Sequence, residues 1–407
     1  MEANMLYALR DSAGLPFYPV VFMLLGVLTF ALHIFAVQVM LGASSLVVSG
    51  AFRADPHWRR LAAAMTDVAK IAVSVAIVIG VAPLLFVQVI YDPFWYTSSV
   101  LSARWVIGFI VILIVAYLLL YLYYFRNYRS SEASRAPRSR WAMLASLALF
   151  LLAGFLMHVF TSQMLHPDQW MQWYAPGGDL DTSGAGVHAY NPWRFGFFIL
   201  MAAPVAGAWL LAYARYLSGR ADADLGYLAF VNRLGTRLMQ IGVPVVILLG
   251  GLWMATLPAS AAGFGTSIWV WVALAALVAG GIAAYLTRGD GKRGSYLPLL
   301  VLLVVGIVIA AAREALRYAI LYGAHAYDFM DYKVNTDWYS TGLFFGTFAI
   351  IGGSVLAYLL TVAWQAGRSV GVYTPSRAVH RMGIVSIALI ALWIVHYFVV
   401  GFIVWAR

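Results

Sequence analysis

Ten long apolar segments, separated by short polar ones, most constrain what this chain can fold into. Each is long enough to cross the hydrocarbon core of a bilayer as a helix. Only 10% of the 407 residues are charged, whereas soluble domains have about 25%. The backbone must satisfy its own hydrogen bonds in a membrane, and the pattern lacks short alternating strands. We therefore predict an all-α transmembrane bundle of about ten spans, in a single domain over residues 1–407. The expected spans are roughly 17–49, 66–90, 103–125, 141–165, 194–217, 234–257, 266–287, 295–321, 339–366 and 382–405.

Basic residues mark alternate loops. Of the 26 Lys and Arg residues, 18 lie in such loops, which by the positive-inside rule face the cytoplasm. Both termini then face outward. The net charge of +10 is thus a topology signal, and we expect the lipid bilayer but no nucleic acid as a partner. The pattern predicts a multi-pass protein of a bacterial inner (cytoplasmic) membrane. The basic residues are Arg53, Arg59, Arg60, Arg126, Arg129, Arg135, Arg138, Arg140, Arg215, Arg220, Arg233, Arg237, Arg288, Lys292, Arg293, Arg368, Arg377 and Arg381.

The opposite loops are aromatic and acidic. They comprise residues 91–96, 166–193 and 325–338. Two interpretations remain open at this point. These aromatic side chains form the interfacial belt common to membrane proteins, or they form a docking surface for a partner protein.

Three of the eight histidines lie within apolar spans, where an imidazole needs a partner, water or a metal. By depth, His33 and His396 fall near the midplane, and His158 lies nearer the outer face. Neutral imidazole is a common ligand for haem iron, so His33 with His396 could hold a b-type haem. Each histidine could instead bond to a neighbouring helix. The chain has no cysteine, which excludes thiolate sites, iron–sulfur clusters and covalent haem attachment.

Two groups of charged residues also lie in or beside the spans. Arg313 and Arg317 are four residues apart and share a helical face, and Glu314 precedes Arg317 by three. They are either a structural ion-pair group or the cationic partners of haem propionates. Asp67 and Lys70 either form an interfacial pair with a snorkelling lysine or mark a proton entry.

Short motifs follow one another along the chain in a recognisable order. They are His33 in Leu-Thr-x-x-x-His-x-Phe-x-x-x-x-Met-Leu-Gly, Asp67-Val-Ala-Lys70 before Gly80-Val-Ala, Gln88 to Trp95, Ser162 to Pro167, Asn191 to Phe195, and Arg313-Glu314 with Tyr322-Gly323. In this order they resemble subunit I of the cytochrome bd oxygen reductases, over the first nine spans. The resemblance implies that His33 corresponds to the haem-ligand histidine of the first span.

The chain also departs from that family. Phe197 stands where the family has a haem-ligand histidine, and Gln88 and Ile107 stand where it has carboxylates. The methionine ligand of the seventh span is absent from residues 267–286, and residues 259–266 replace the long quinol-binding loop. A tenth span, which carries His396, has no counterpart in the resemblance. Most haem ligands and the quinol site are therefore missing.

These observations lead to a functional expectation with two rivals. We expect a cytochrome bd-like membrane subunit of a respiratory electron-transfer complex, with b-type haem bound through His33 together with His158 or His396. Its partners would be other membrane subunits and a periplasmic c-type cytochrome, and any enzymatic role would be that of an oxidoreductase subunit. The first rival is a haem-free structural or anchor subunit. The second is a transporter, which the scarcity of convergent polar groups in the spans disfavours.

Overall fold

In a computed structural model, which describes residues 3–127, 137–287 and 295–406, the chain is helical, with no strand among those residues. Ten of the described helical segments are long and apolar enough to cross a membrane, which confirms the predicted number of spans. The α-helices are α1 Ala3–Ala8, α2 Pro19–Ala51, α3 Pro56–Ile90, α4 Asp92–Leu101, α5 Ala103–Asn127, α6 Arg140–Gln163, α7 Trp170–Tyr174, α8 Pro192–Leu200, α9 Ala202–Leu217, α10 Leu225–Ala255, α11 Ile268–Leu286, α12 Leu297–His325, α13 Trp338–Gly346, α14 Gly353–Arg368 and α15 Arg377–Trp405.

Two spans consist of more than one helical segment. The fifth combines α8 and α9, and the ninth joins α13 to α14 through the π-helix Thr347–Gly352. Short 3₁₀ helices occupy the loops at Pro167–Gln169, Pro176–Gly178, Ala259–Thr266 and Phe329–Asp331. Among the basic loop residues, Arg129, Arg135, Arg288, Lys292 and Arg293 lie outside the described residues.

Local sequence signals explain where several spans begin. Asp55 caps α3, accepting a hydrogen bond from the Trp58 backbone N–H at 3.0 Å, and proline follows it at the first helical position. Asn191 caps α8 in the same way, accepting from the Arg194 N–H at 3.0 Å, again with proline next. A capping oxygen satisfies an N–H that the helix leaves free, and proline has no N–H to lose there.

Glycines allow close helix packing between α2, α9 and α10. A Cβ added to Gly207 would lie 2.6 Å from the Gly235 carbonyl oxygen, and one added to Gly235 would lie 2.7 Å from the Gly207 oxygen. A Cβ on Gly42 would meet the Ala206 Cβ at 2.6 Å. Small residues let helix backbones approach in membranes, where dispersion contacts replace the hydrophobic effect between helices. This interface is the centre of the larger hydrophobic core.

The glycine contact predicts a difference between two alanine variants of the same helix. Gly235→Ala should destabilise the fold by about 1–3 kcal/mol, since α9 and α10 must separate. Gly251→Ala should be neutral or stabilising by about 0.4–1 kcal/mol, because no atom lies within 4 Å of the added methyl group. Thermal unfolding of the detergent-solubilised variants measures both. Equal unfolding temperatures would contradict the assigned packing.

The last two spans form a hairpin that lies apart from the rest of the bundle. No residue in the apolar windows of these spans is buried. At one end the Tyr216 hydroxyl donates to the Trp364 carbonyl oxygen at 2.9 Å. At the other end, the Asp337 N–H donates to the Pro16 carbonyl oxygen at 3.1 Å. The hairpin is thus attached near its two ends, and its middle presents apolar side chains.

At the end of the bundle where α2 begins, the loops fold into a second hydrophobic core, which we call the aromatic cap. It comprises residues 5–18, 91–102, 164–191 and 326–337. Tyr91, Phe94 and Tyr327 are at most 1% exposed within it, and Trp170 is 3% exposed. These four residues form neither a membrane-interface belt nor a docking surface, the two interpretations that the sequence left open, because they face the protein interior. Other aromatic residues of the cap, including Tyr96 and Tyr190, remain exposed.

A charged network joins the start of the chain to the loop after α12. The guanidinium of Arg10 lies 3.9 Å from the ring centre of Tyr332 and donates to the Tyr327 hydroxyl at 3.1 Å. Asp92 accepts hydrogen bonds from the Tyr332 hydroxyl and, at 3.1 Å, from the Asp11 backbone N–H. Burial raises the pKa of Asp92 above its ordinary value and raises that of Tyr327 to about 12. Cation–π and charge-assisted contacts therefore close the cap.

The raised pKa of Asp92 predicts a pH dependence of stability. The folded protein retains the Asp92 proton to a higher pH than the unfolded chain, where the pKa is near 3.8. This contribution to stability is present below that value and is lost as pH rises through the folded pKa. As the pH rises from 3.5, the unfolding temperature of the wild type should therefore fall relative to that of Asp92→Asn. A difference that does not change with pH would rule out this linkage.

Candidate functional site

One ring nitrogen of His33, Nδ1, is hydrogen-bonded to the backbone, and the other, Nε2, is left free to act as a ligand atom. Its Nδ1 lies 2.9 Å from the Ala76 carbonyl oxygen on α3. A carbonyl can only accept, so Nδ1 carries the proton and Nε2 of the neutral ring keeps its lone pair. Among the described residues, Nε2 has no hydrogen-bond partner. Ring N–H donation to a backbone carbonyl is the usual support of a metal-ligating histidine.

Gly80 makes room for the His33 ring between α2 and α3. A Cβ at this position would lie 2.7 Å from Cε1 and 2.8 Å from Nδ1 of His33. Any larger residue would displace the ring and break its bond to Ala76. The neighbouring charge is that of Arg313, which acts electrostatically on His33. The guanidinium of Arg313 lies 3.8 Å from the ring centre of Phe30, three residues before His33.

His158 is buried and already has a structural partner. Its Nε2 accepts a hydrogen bond from the Asn191 backbone N–H at 2.9 Å. Five residues later on α6, Gln163 Oε1 accepts from the His188 N–H at 3.0 Å. Both side chains thereby fix the loop that leads into α8. The lone pair that an iron would need is engaged in this contact.

Variants of His158 separate a structural role from a ligand role. We expect His158→Ala to leave the Asn191 N–H unpaired and to destabilise the protein by about 1–3 kcal/mol. His158→Gln can accept the same hydrogen bond and should retain most of the stability. Thermal unfolding of both variants checks this. If His158→Gln is as unstable as His158→Ala, the imidazole has a role beyond accepting this bond.

His396 lies in the terminal hairpin, on α15, and is partly exposed. Its Nε2 is 3.2 Å from the Tyr339 hydroxyl on α13. Helix α15 packs mainly against α14 and the π-helix, whereas His33 packs against α3. The structure thus does not bring His33 and His396 together as a pair.

A cavity of about 440 Å³ lies between the aromatic cap and the ends of α6, α8, α10 and α12. Three arginines line it: Arg194 near the start of α8, and Arg313 and Arg317 on α12. On the cap side it is bounded by His166, His188 and Asn191. Its apolar lining comes from Leu165, Trp253, Leu257, Leu316 and Ile320.

The three arginines differ in their partners. Arg317 pairs with Glu314 at 2.9 Å, as their spacing predicted, and both side chains are about 10% exposed or less. Among the described residues, the Arg194 side chain donates to two neutral hydroxyls, at 3.0 Å to Ser162 and 3.2 Å to Thr161. Arg313 has no hydrogen bond or ion pair with any described residue. The Asp67–Lys70 pair also forms, at 3.0 Å, away from this cavity.

At neutral pH the charge of the cavity comes from its guanidinium groups. Burial lowers the pKa of His166 below its ordinary value, so this ring is neutral at pH 7. None of the described residues that line the cavity is acidic. Glu314, beside it, can compensate one arginine, and an unpaired charge in a partly buried site is costly. The arrangement is therefore suited to an anionic group.

Arg194 was not among the site residues that the sequence suggested. The available signal was an arginine at the first residue of a predicted apolar span, two residues after the proline of an Asn-Pro helix start. Such a position is also compatible with an arginine that extends to the membrane surface. Only the folded chain brings Arg194 to the same cavity as Arg313 and Arg317.

Phe197 and Ile107, which the sequence comparison singled out, lie in different surroundings. Phe197 is buried, with its ring centre 5.7 Å from that of Trp253 and 5.3 Å from that of Phe198. Ile107 is 68% exposed on the surface of α5. No group of three or more His, Cys, Asp or Glu residues suited to a metal occurs in the part of the chain that the structure describes.

Comparison with known proteins adds no assignment. No family model matches the chain, and no curated protein matches it either.

Proposed function

We propose that this protein is a membrane subunit of a respiratory electron-transfer complex, cytochrome bd-like in organisation, which binds b-type haem through His33. The observation that carries the proposal is the His33 hydrogen bond to Ala76, which leaves Nε2 free as a ligand atom. Bound haem would supply one-electron transfer at its iron.

The surroundings of His33 support an anionic, planar cofactor. Arg313 is close to His33 and lacks an acidic partner among the described residues, and Arg317 follows one turn along α12. Propionates need cationic partners of this kind. Phe30, three residues before His33 on α2, provides apolar surface on the same helix, and its ring centre lies 6.2 Å from that of Phe198. These residues would hold and orient the group.

The choice of electron partner follows from the topology. If the basic loops face the cytoplasm, the aromatic cap and its exposed residues face outward. A periplasmic c-type cytochrome would then exchange electrons on that side, and other membrane subunits would cover the apolar helices. The expected location is the bacterial inner membrane.

One observation favours the rival proposal of a haem-free structural subunit. His158, the second histidine expected as a ligand, uses its Nε2 to accept from Asn191, and His396 lies in the separate hairpin. Neither of these two histidines is therefore available as a second ligand beside His33. If His33 only joins α2 to α3, the chain serves as an anchor for other subunits.

A reduced-minus-oxidised optical spectrum of the purified full chain distinguishes the two. The proposal predicts a b-type band near ~560 nm, as b-type haems in general show. His33→Ala should abolish this band, because it removes the proposed ligand atom. Gly80→Ala should weaken it, since the added methyl group displaces the His33 ring.

The matched control is His396→Ala, which removes an intramembrane imidazole away from His33 and should retain the band. A colourless wild-type protein, purified from cells that make haem, would refute haem binding and favour the anchor role. Retention of the full band in His33→Ala would refute the assigned ligand.

A further inference from the structure

We propose that the cavity at the aromatic cap is a binding site for a phosphate group, carried by a phospholipid or free in solution. The binding groups are the guanidiniums of Arg194, Arg313 and Arg317. This inference goes beyond the haem proposal, because it concerns a ligand of the cavity and does not require an occupied His33. Arg313 and Arg317, which the haem proposal assigns to the propionates, also belong to this site, whereas Arg194 belongs to it alone.

The charge balance of the cavity requires an anion. Three guanidinium groups face a lining that has no carboxylate among its described residues. Glu314 pairs with Arg317 and also acts electrostatically on Arg313, so its single charge balances one of the three. Arg194 and Arg313 act on each other electrostatically, and both act together with Arg317. Like charges held together away from bulk water repel strongly, so the arrangement is favourable only with a negative group among them.

Phosphate suits the geometry of the donors. Two hydrogen bonds of Arg194 go to Ser162 and Thr161, which leaves other N–H groups of its planar fork free. Arg313 has its N–H groups free of described partners, and its guanidinium carbon lies 3.8 Å from the ring centre of Phe30. Arginine forks match the oxygens of phosphate in paired hydrogen bonds. The site therefore offers several donors from two helices.

The size and lining of the cavity fit a phosphate attached to an apolar group. Its volume of about 440 Å³ is far more than a bare ion occupies, since a water takes about 30 Å³ of liquid. Leu257, Leu316 and Ile320 line the part of the wall that an apolar chain would contact. A phospholipid head group with the first part of its chains has this combination of properties.

The test measures the thermal unfolding of the detergent-solubilised full chain with three probes. They are inorganic phosphate at constant ionic strength, dioleoylphosphatidylglycerol, and dioleoylglycerol, which lacks the phosphate. Both phosphate-bearing probes should raise the unfolding temperature in a saturable way if the site accepts free phosphate. Stabilisation by phosphatidylglycerol alone would assign the site to a lipid head group. The diacylglycerol should have no effect.

Variants locate the binding. Arg194→Gln and Arg313→Gln should each weaken binding by about tenfold or more, the effect of losing a charge-assisted contact. Arg194→Lys should recover part of the loss. Arg104→Gln is the matched control, because Arg104 is an exposed arginine at the start of α5 that does not line the cavity. Arg317 is not substituted, because its removal would leave the buried Glu314 carboxylate without its ion-pair partner.

Two outcomes would overturn the proposal. The first is that no phosphate-bearing probe stabilises the protein, and the second is that Arg104→Gln weakens binding as much as Arg194→Gln. The haem proposal is tested separately in the same proteins. His33→Ala should keep phosphate binding while losing the optical band, and Arg194→Gln should keep the band, so either proposal can fail alone.

Discussion

A polar atom inside an apolar span has to find its partner within the protein, because hydrocarbon offers none. This requirement explains why the chain is helical, and it also explains the positions of its intramembrane polar groups. His33 donates to Ala76, His158 accepts from Asn191, and Arg317 pairs with Glu314. Arg194 and Arg313 have no acidic partner among the described residues, which sets the cavity apart from the rest of the bundle. The functional proposals rest on these unpaired groups.

Most of the fold could be predicted from the sequence, and much of the site could not. Apolar length and the distribution of charge predict ten spans, since each span forms from its own residues. The Arg317–Glu314 pair follows from spacing on one helix. By contrast, whether His158 is free or bonded depends on the loop before α8, and the meeting of Arg194 with Arg313 depends on the packing of separate helices. Such contacts between distant segments leave no local signal.

The aromatic residues of the loops illustrate the same limit. Their composition suggested a membrane belt or a docking surface, but Tyr91, Phe94 and Tyr327 form the interior of a cap. A buried tyrosine and an interfacial one look alike in a sequence, because both combine an apolar ring with a polar hydroxyl. The hydroxyl of Tyr332 finds Asp92 only when the loop after α12 lies over α4. The cap therefore confines the cavity on the side away from the helices.

The network around Arg10 has a consequence for how the protein is made. Arg10 lies at the start of the chain, while Tyr327 and Tyr332, which it contacts, follow the eighth span. During synthesis the N-terminal segment that carries Arg10 therefore lacks these partners until the chain has been made through the eighth span. Contacts so distant in sequence carry a high cost of loop closure and form late. The cap can therefore form only after the first eight spans have been inserted and packed, so its completion marks that stage of assembly.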